Sequence, residues 1–101
     1  MLKNIFPILF TSFLFSNNID LLHKATRAIE DKKYKVALTH INKAEDGNKK
    51  NPDFFRLKAL VHEMLGEPDH AKKAWKKCYI YSIDKNMRRE AKIHIQNLSN
   101  N

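Results

Sequence analysis

Apolar residues recur three and four positions apart along most of this chain, and no stretch alternates apolar with polar as a half-buried strand would. That spacing predicts five helices. The first runs from about Asn18 to Glu30, with Asn17 or Asn18 as its cap and Leu22, Ala25 and Ile29 on one stripe. A short Asp31-Lys32-Lys33 link leads to the second, about Tyr34 to Glu45, which carries Ala37, Leu38, Ile41 and Ala44. Gly47 is expected to end it in the left-handed conformation, and polar residues 48–51 read as a loop. Asn51-Pro52-Asp53 is a strong start for the third helix: a capping amide, a proline in the first turn and an acid at the positive end. Phe54, Leu57, Leu60, Val61 and Met64 form its apolar side, and Gly66 stops it. Pro68 opens a fourth, with Ala71, Ala74, Trp75, Cys78 and Tyr79 inward, fading near Ser82. The last, about Asn86 to Leu98, turns Met87, Ala91, Ile95 and Leu98 inward and leaves Arg88, Arg89 and Lys92 in water.

Offsetting the sequence by 34 residues places Ala25 on Ala59, Leu21 on Phe55, Ala37 on Ala71, Ile41 on Trp75 and Ala44 on Cys78. Small falls on small and bulky apolar on bulky apolar, as a packing environment used twice requires. A period near that length marks helical hairpins stacked side by side, each too small to bury its apolar face alone. The expected fold class is therefore all-α. Two antiparallel hairpins, about 18–51 and 52–85, would stack as a short α-solenoid closed by a solvating helix at about 86–98.

These hairpins resemble tetratricopeptide repeats. The resemblance rests on a small residue in the middle of each first helix (Ala25, Ala59) and an alanine early in each second helix (Ala37, Ala71). A bulky residue follows one turn later (Ile41, Trp75), then a small one near the helix end (Ala44, Cys78). The chain departs from the family pattern where Lys24 and Lys58 replace a leucine, and where Ala28 and His62 replace a tyrosine. Sel1-like repeats, which share the length and size pattern, stay open as an alternative.

The first 16 residues are of another kind. Lys3 is their only charge, and an apolar run of 11 residues follows from Ile5 to Phe15, broken by Pro7, Thr11 and Ser12. A basic start before about 7–15 apolar residues is the layout of a secretory signal, whereas spanning a bilayer takes about 20. Residues 1–16 are read as an export signal, with 17–101 as the helical domain in a periplasm or outside the cell. The alternative is a helix that covers the apolar edge of the first hairpin.

Chemistry adds little to this picture. Cys78 is the one cysteine, so no intramolecular disulfide can form, and its register with Ala44 marks a small packing position rather than a nucleophile. None of the five histidines stands four residues from another, and where His62-Glu63 begins a zinc pattern, Gly66 occupies the second histidine's place. No glycine-rich phosphate loop is present. The chain is not expected to be an enzyme, and no metal or cofactor is expected.

What remains is binding. The family resemblance implies a concave face lined by first helices that takes a peptide or protein. In this register its positions are Ile19, Leu22, Thr26 and Glu30, then Asp53, Arg56, Leu60 and Glu63, then Glu90 and His94. The second candidate is basic. The formal net charge is +8, and Lys72, Lys73, Lys76 and Lys77 cluster on the fourth helix around Trp75. Their stems are expected to lie over Trp75 and Tyr79. Such a patch suits an anionic envelope polymer or membrane surface. Nucleic acid is disfavoured, since no stacking aromatics interleave with the lysines. Self-association stays open.

Overall fold

The computed structural model describes residues 19–100, and every regular element among them is helical. Helix α1 occupies residues 19–30, α2 Tyr34–Ala44, α3 Pro52–Met64, α4 Pro68–Tyr81 and α5 Lys85–Ser99, with a single 3-10 turn at Glu45–Asn48. The fold is all-α. Expectations about the export segment 1–16 and the Asn17 or Asn18 cap lie outside the described residues.

Alanine dominates the core. Ala25, Ala37, Ala44, Ala59, Ala71 and Ala91 are fully buried, and Ala28 and Ala74 nearly so. Small side chains let helix axes approach closely, and the space between them is filled by Ile41, Phe54, Phe55, Val61, Trp75 and Cys78. Helix α4 lies between α3 and α5, and α2 packs on α3. Phe54 meets Phe55 edge-on at 5.2 Å, and Phe55 stacks on Tyr81 at 5.9 Å. Adjacent residues of α3 can both be buried because neighbours cover more than one side of it.

The two hairpin turns are built alike. After α1, Lys32 N–H donates to Ile29 O (2.9 Å) and Lys33 N–H to Ala28 O (2.8 Å). After α3, Gly66 N–H donates to Glu63 O (3.0 Å) and Glu67 N–H to His62 O (2.9 Å). Both are Schellman closures, 34 residues apart, that satisfy carbonyls left open at a helix end. Each needs a left-handed residue, and φ is 60° at Lys32 and 71° at Gly66. Glycine takes that conformation freely, while a residue with a Cβ does so at a cost of roughly 1 kcal/mol. Lys32→Gly is therefore expected to stabilise the chain by about that much. Thermal melts should show a midpoint higher by roughly 4–8 °C. A lower midpoint would mean that Lys32 is not held in this turn.

Three expectations are corrected. Gly47 does not close α2 with a positive φ; it sits inside the 3-10 turn. Asn48 caps the helix instead, its side-chain amide donating to Ala44 O at 2.8 Å, so no left-handed residue is needed. Met64 is 62% exposed, because the buried arc of α3 centres on Phe55, Ala59 and His62 and leaves the last turn of the Leu57–Leu60 stripe uncovered. Arg88 does not stay in water: its guanidinium lies 4.1 Å from the Tyr79 ring centroid and donates to Tyr79 O and Ser82 O. Those carbonyls belong to the end of α4, where no further turn can satisfy them.

The expected starts of α3 and α5 need only small adjustment. Asn51 Oδ1 accepts from Asp53 N (3.1 Å) and Phe54 N (3.4 Å), with Pro52 in the first turn. Asp84 caps α5, one residue earlier than the spacing suggested, by accepting from Asn86 N at 2.8 Å.

Candidate functional site

Two surfaces carry polar chemistry. The first spans α3, α4 and α5. Arg56 on α3 donates from Nε to Glu90 of α5 at 2.8 Å. One turn further along α5, His94 Nδ1 lies 2.8 Å from Glu63 Oε2, and the same oxygen accepts from Trp75 Nε1 at 2.6 Å. The His94 ring stacks on Trp75 with centroids 4.2 Å apart. A carboxylate only accepts, so the imidazole donates here and one oxygen joins three helices. Four of the groove positions read from the sequence, Arg56, Glu63, Glu90 and His94, are thus brought together. They are spent on one another.

The remaining groove positions are scattered in character. Thr26 is exposed and its hydroxyl donates back to Leu22 O at 3.0 Å. Leu22 and Leu60 are half-buried, while Ile19, Glu30 and Asp53 are exposed.

The second surface is a cleft of 640 Å³ bounded by α2, α3 and α4. Leu38, Phe55 and Ala74 make its floor, and Lys58, Lys73, Lys76 and Lys77 stand around it. The ammonium of Lys77 lies over the Phe55 ring, 5.1 Å from its centroid, which covers the aromatic face while keeping the charge wet. Lys58 is paired with Glu45, but Lys73, Lys76 and Lys77 have no acidic partner among the described residues. His62 and His70 stack at 5.0 Å in the same wall, with His62 Nδ1 3.0 Å from Glu67 Oε1. An apolar floor under several cations can hold an anionic group next to an apolar one.

Of the four lysines read as a patch, Lys73, Lys76 and Lys77 line this cleft, and Lys72 is half-buried outside its lining. The expected cover over Trp75 and Tyr79 is corrected. Trp75 is fully buried under His94 and Glu63, Tyr79 is covered by Arg88, and the aromatic under a lysine is Phe55. Lys58, His62, Glu67 and His70 were missed as site residues. A signal for the histidines was present: both stand four residues from Gly66, and an antiparallel hairpin pairs positions equidistant from its turn.

Cys78 is fully buried. Burial, reinforced by the Glu90 carboxylate and partly opposed by Arg56, pushes its thiol from 9.0 up to about 11. Such a thiol is a poor nucleophile. Because the unfolded chain loses this proton first, the thiol's contribution to stability is complete below pH 9 and disappears as pH rises through about 11. Within that window, unfolding free energy is expected to fall by roughly 1.4 kcal/mol per pH unit from this group. Urea titrations of the parent and Cys78→Ala across the window would isolate it, since lysine and tyrosine titration is common to both. Parallel pH profiles would refute it.

Comparison with protein families, curated proteins and solved structures finds no match to this chain.

Proposed function

We propose that this chain is a small helical-repeat interaction module, similar to tetratricopeptide repeats, which holds an acidic, partly apolar segment of another protein in the cleft between α2, α3 and α4. The observation that carries this reading is the cleft itself: an apolar floor of Leu38, Phe55 and Ala74 beneath Lys73, Lys76 and Lys77, which have no acidic partners among the described residues. The α3–α5 face is less favoured, since its charged side chains already satisfy each other. A partner there would have to break those pairs. In the cleft it would only add to groups that water now solvates.

The reading includes export: Lys3 and the run Ile5 to Phe15 direct the chain out of the cytoplasm, and the binding protein acts there without cofactor or catalysis. Selection from a displayed random-peptide library on the folded chain tests the cleft. Enriched sequences should combine Asp or Glu with one large apolar residue. Changing Lys73, Lys76 and Lys77 together to glutamine should weaken a selected peptide by roughly tenfold or more, about 1.4 kcal/mol. Enrichment of neutral or basic peptides, or amide shifts on binding confined to Thr26, Arg56 and Glu90, would reject the cleft as the site.

A further inference from the structure

Isoleucine is among the residues most often buried, and a single exposed one means nothing. At the corner between α4 and α5 two stand together: Ile80 is 67% exposed and Ile83 is 98% exposed. Ile80 follows Lys73, Lys76 and Lys77 by seven, four and three residues on α4, so all four lie along one helical stripe. The helix ends at Tyr81, the chain turns, and Ile83 comes two residues before the exposed Lys85. None of these lysines has an acidic partner among the described residues. Asp84, the one acid at the corner, is engaged in capping α5.

We propose that this corner is a contact surface for an anionic lipid bilayer, with Ile80 and Ile83 entering the interfacial layer and Lys73, Lys76, Lys77 and Lys85 meeting the headgroups. The argument is one of complementarity. A bilayer surface is a layer of negative charge directly above apolar material, and this corner places apolar tips beside unpaired cations. Neither isoleucine lines the cleft, so a peptide seated there leaves both in water. Phosphates of nucleic acid would satisfy the lysines but offer nothing to isoleucine, and none of the large apolar side chains exposed among the described residues is an aromatic that could stack on a base. A second copy of a chain with net charge +8 would bring cations against cations. No helix among the described residues is long and apolar enough to cross a membrane, so the contact is peripheral.

The apolar segment near the N-terminus could itself attract the full chain to lipid, so the test must report on the corner. Cys78 is buried, which allows a cysteine at the corner to be labelled selectively in the folded chain. Full-length Ile83→Cys carrying an environment-sensitive fluorophore is mixed with vesicles of phosphatidylcholine and phosphatidylglycerol, and separately with phosphatidylcholine alone. A blue shift and intensity rise are expected with the anionic vesicles only, reversed by high salt, and quenched by nitroxide-bearing lipid. The same label on Val36→Cys, an exposed site on α2, should stay in an aqueous environment. Ile80→Ser combined with Ile83→Ser should weaken partition onto the anionic vesicles by roughly tenfold or more and leave acidic-peptide binding unchanged. A label at residue 83 that remains aqueous on vesicle-bound protein would overturn the proposal. So would a response to acidic peptide, or to protein concentration without lipid.

Discussion

Trp75→Ala is expected to cost about 3–5 kcal/mol and to leave little folded protein at physiological temperature. The side chain is fully buried, its ring stacks on His94 at 4.2 Å, and its N–H donates to Glu63 at 2.6 Å. Alanine removes the largest side chain of the core and opens a cavity between three helices that have no slack to collapse into it. A domain this small has a total stability of roughly 5–10 kcal/mol, so one such loss takes a large share of it. With about 4–8 °C per kcal/mol, the thermal midpoint should fall by roughly 12–40 °C. Trp75→Phe separates the terms, because it keeps an aromatic against His94 and deletes the N–H; about 1–3 kcal/mol is expected. A circular-dichroism melt of Trp75→Ala within a few degrees of the parent would contradict this packing.

Glu63→Ala comes next, at about 2–4 kcal/mol. Its carboxylate joins α3 to α4 through Trp75 and to α5 through His94 (2.8 Å). Alanine leaves the indole N–H of a fully buried tryptophan without an acceptor, and that desolvation is uncompensated. Glu63→Gln retains a carbonyl oxygen in the same place and should lose only about 1 kcal/mol. The pair can be apportioned by a double-mutant cycle in urea: Glu63→Ala and Trp75→Phe together should cost less than the sum of the two, by roughly 0.5–3 kcal/mol. Strict additivity would mean that the bond adds nothing to stability.

Helix existence was legible because it depends on local spacing. Asn51-Pro52 announced α3, and the four alanines that recur at 34-residue offset are all fully buried, since close helix approach leaves no choice of size there. What escaped depends on groups distant in sequence. Nothing in the run Met87-Arg88-Arg89 says that one arginine covers a tyrosine and closes the end of α4 while the next stays exposed. Glu63 read as a groove position open to a partner because both the groups that occupy it lie on other helices. Gly47 misled for a local reason: Asn48 and Asn51 form their own hydrogen-bonded cap, and a glycine beside them is not needed for its positive φ. The cleft was half-visible. Its lysines stand together on α4, but the large apolar residues of the floor they cover, Leu38 and Phe55, come from α2 and α3.

That shared construction gives the left-handed turn at Lys32 a further consequence. Leu38 and Asn42, one wall of the cleft, belong to α2, the second helix of the hairpin that this turn closes. Helix α2 in turn packs on α3. The first hairpin is therefore closed by a residue held in a costly conformation, which lowers the free energy of opening it locally by about 1 kcal/mol relative to a glycine turn. Whenever it opens, the cleft loses the wall that carries Leu38 and Asn42, and on the proposed reading a seated peptide would lose that part of its floor. If the cleft binds as proposed, occupancy and hairpin closure are one linked equilibrium: a bound segment would hold the hairpin shut, and apparent affinity would scale with the fraction of molecules already closed.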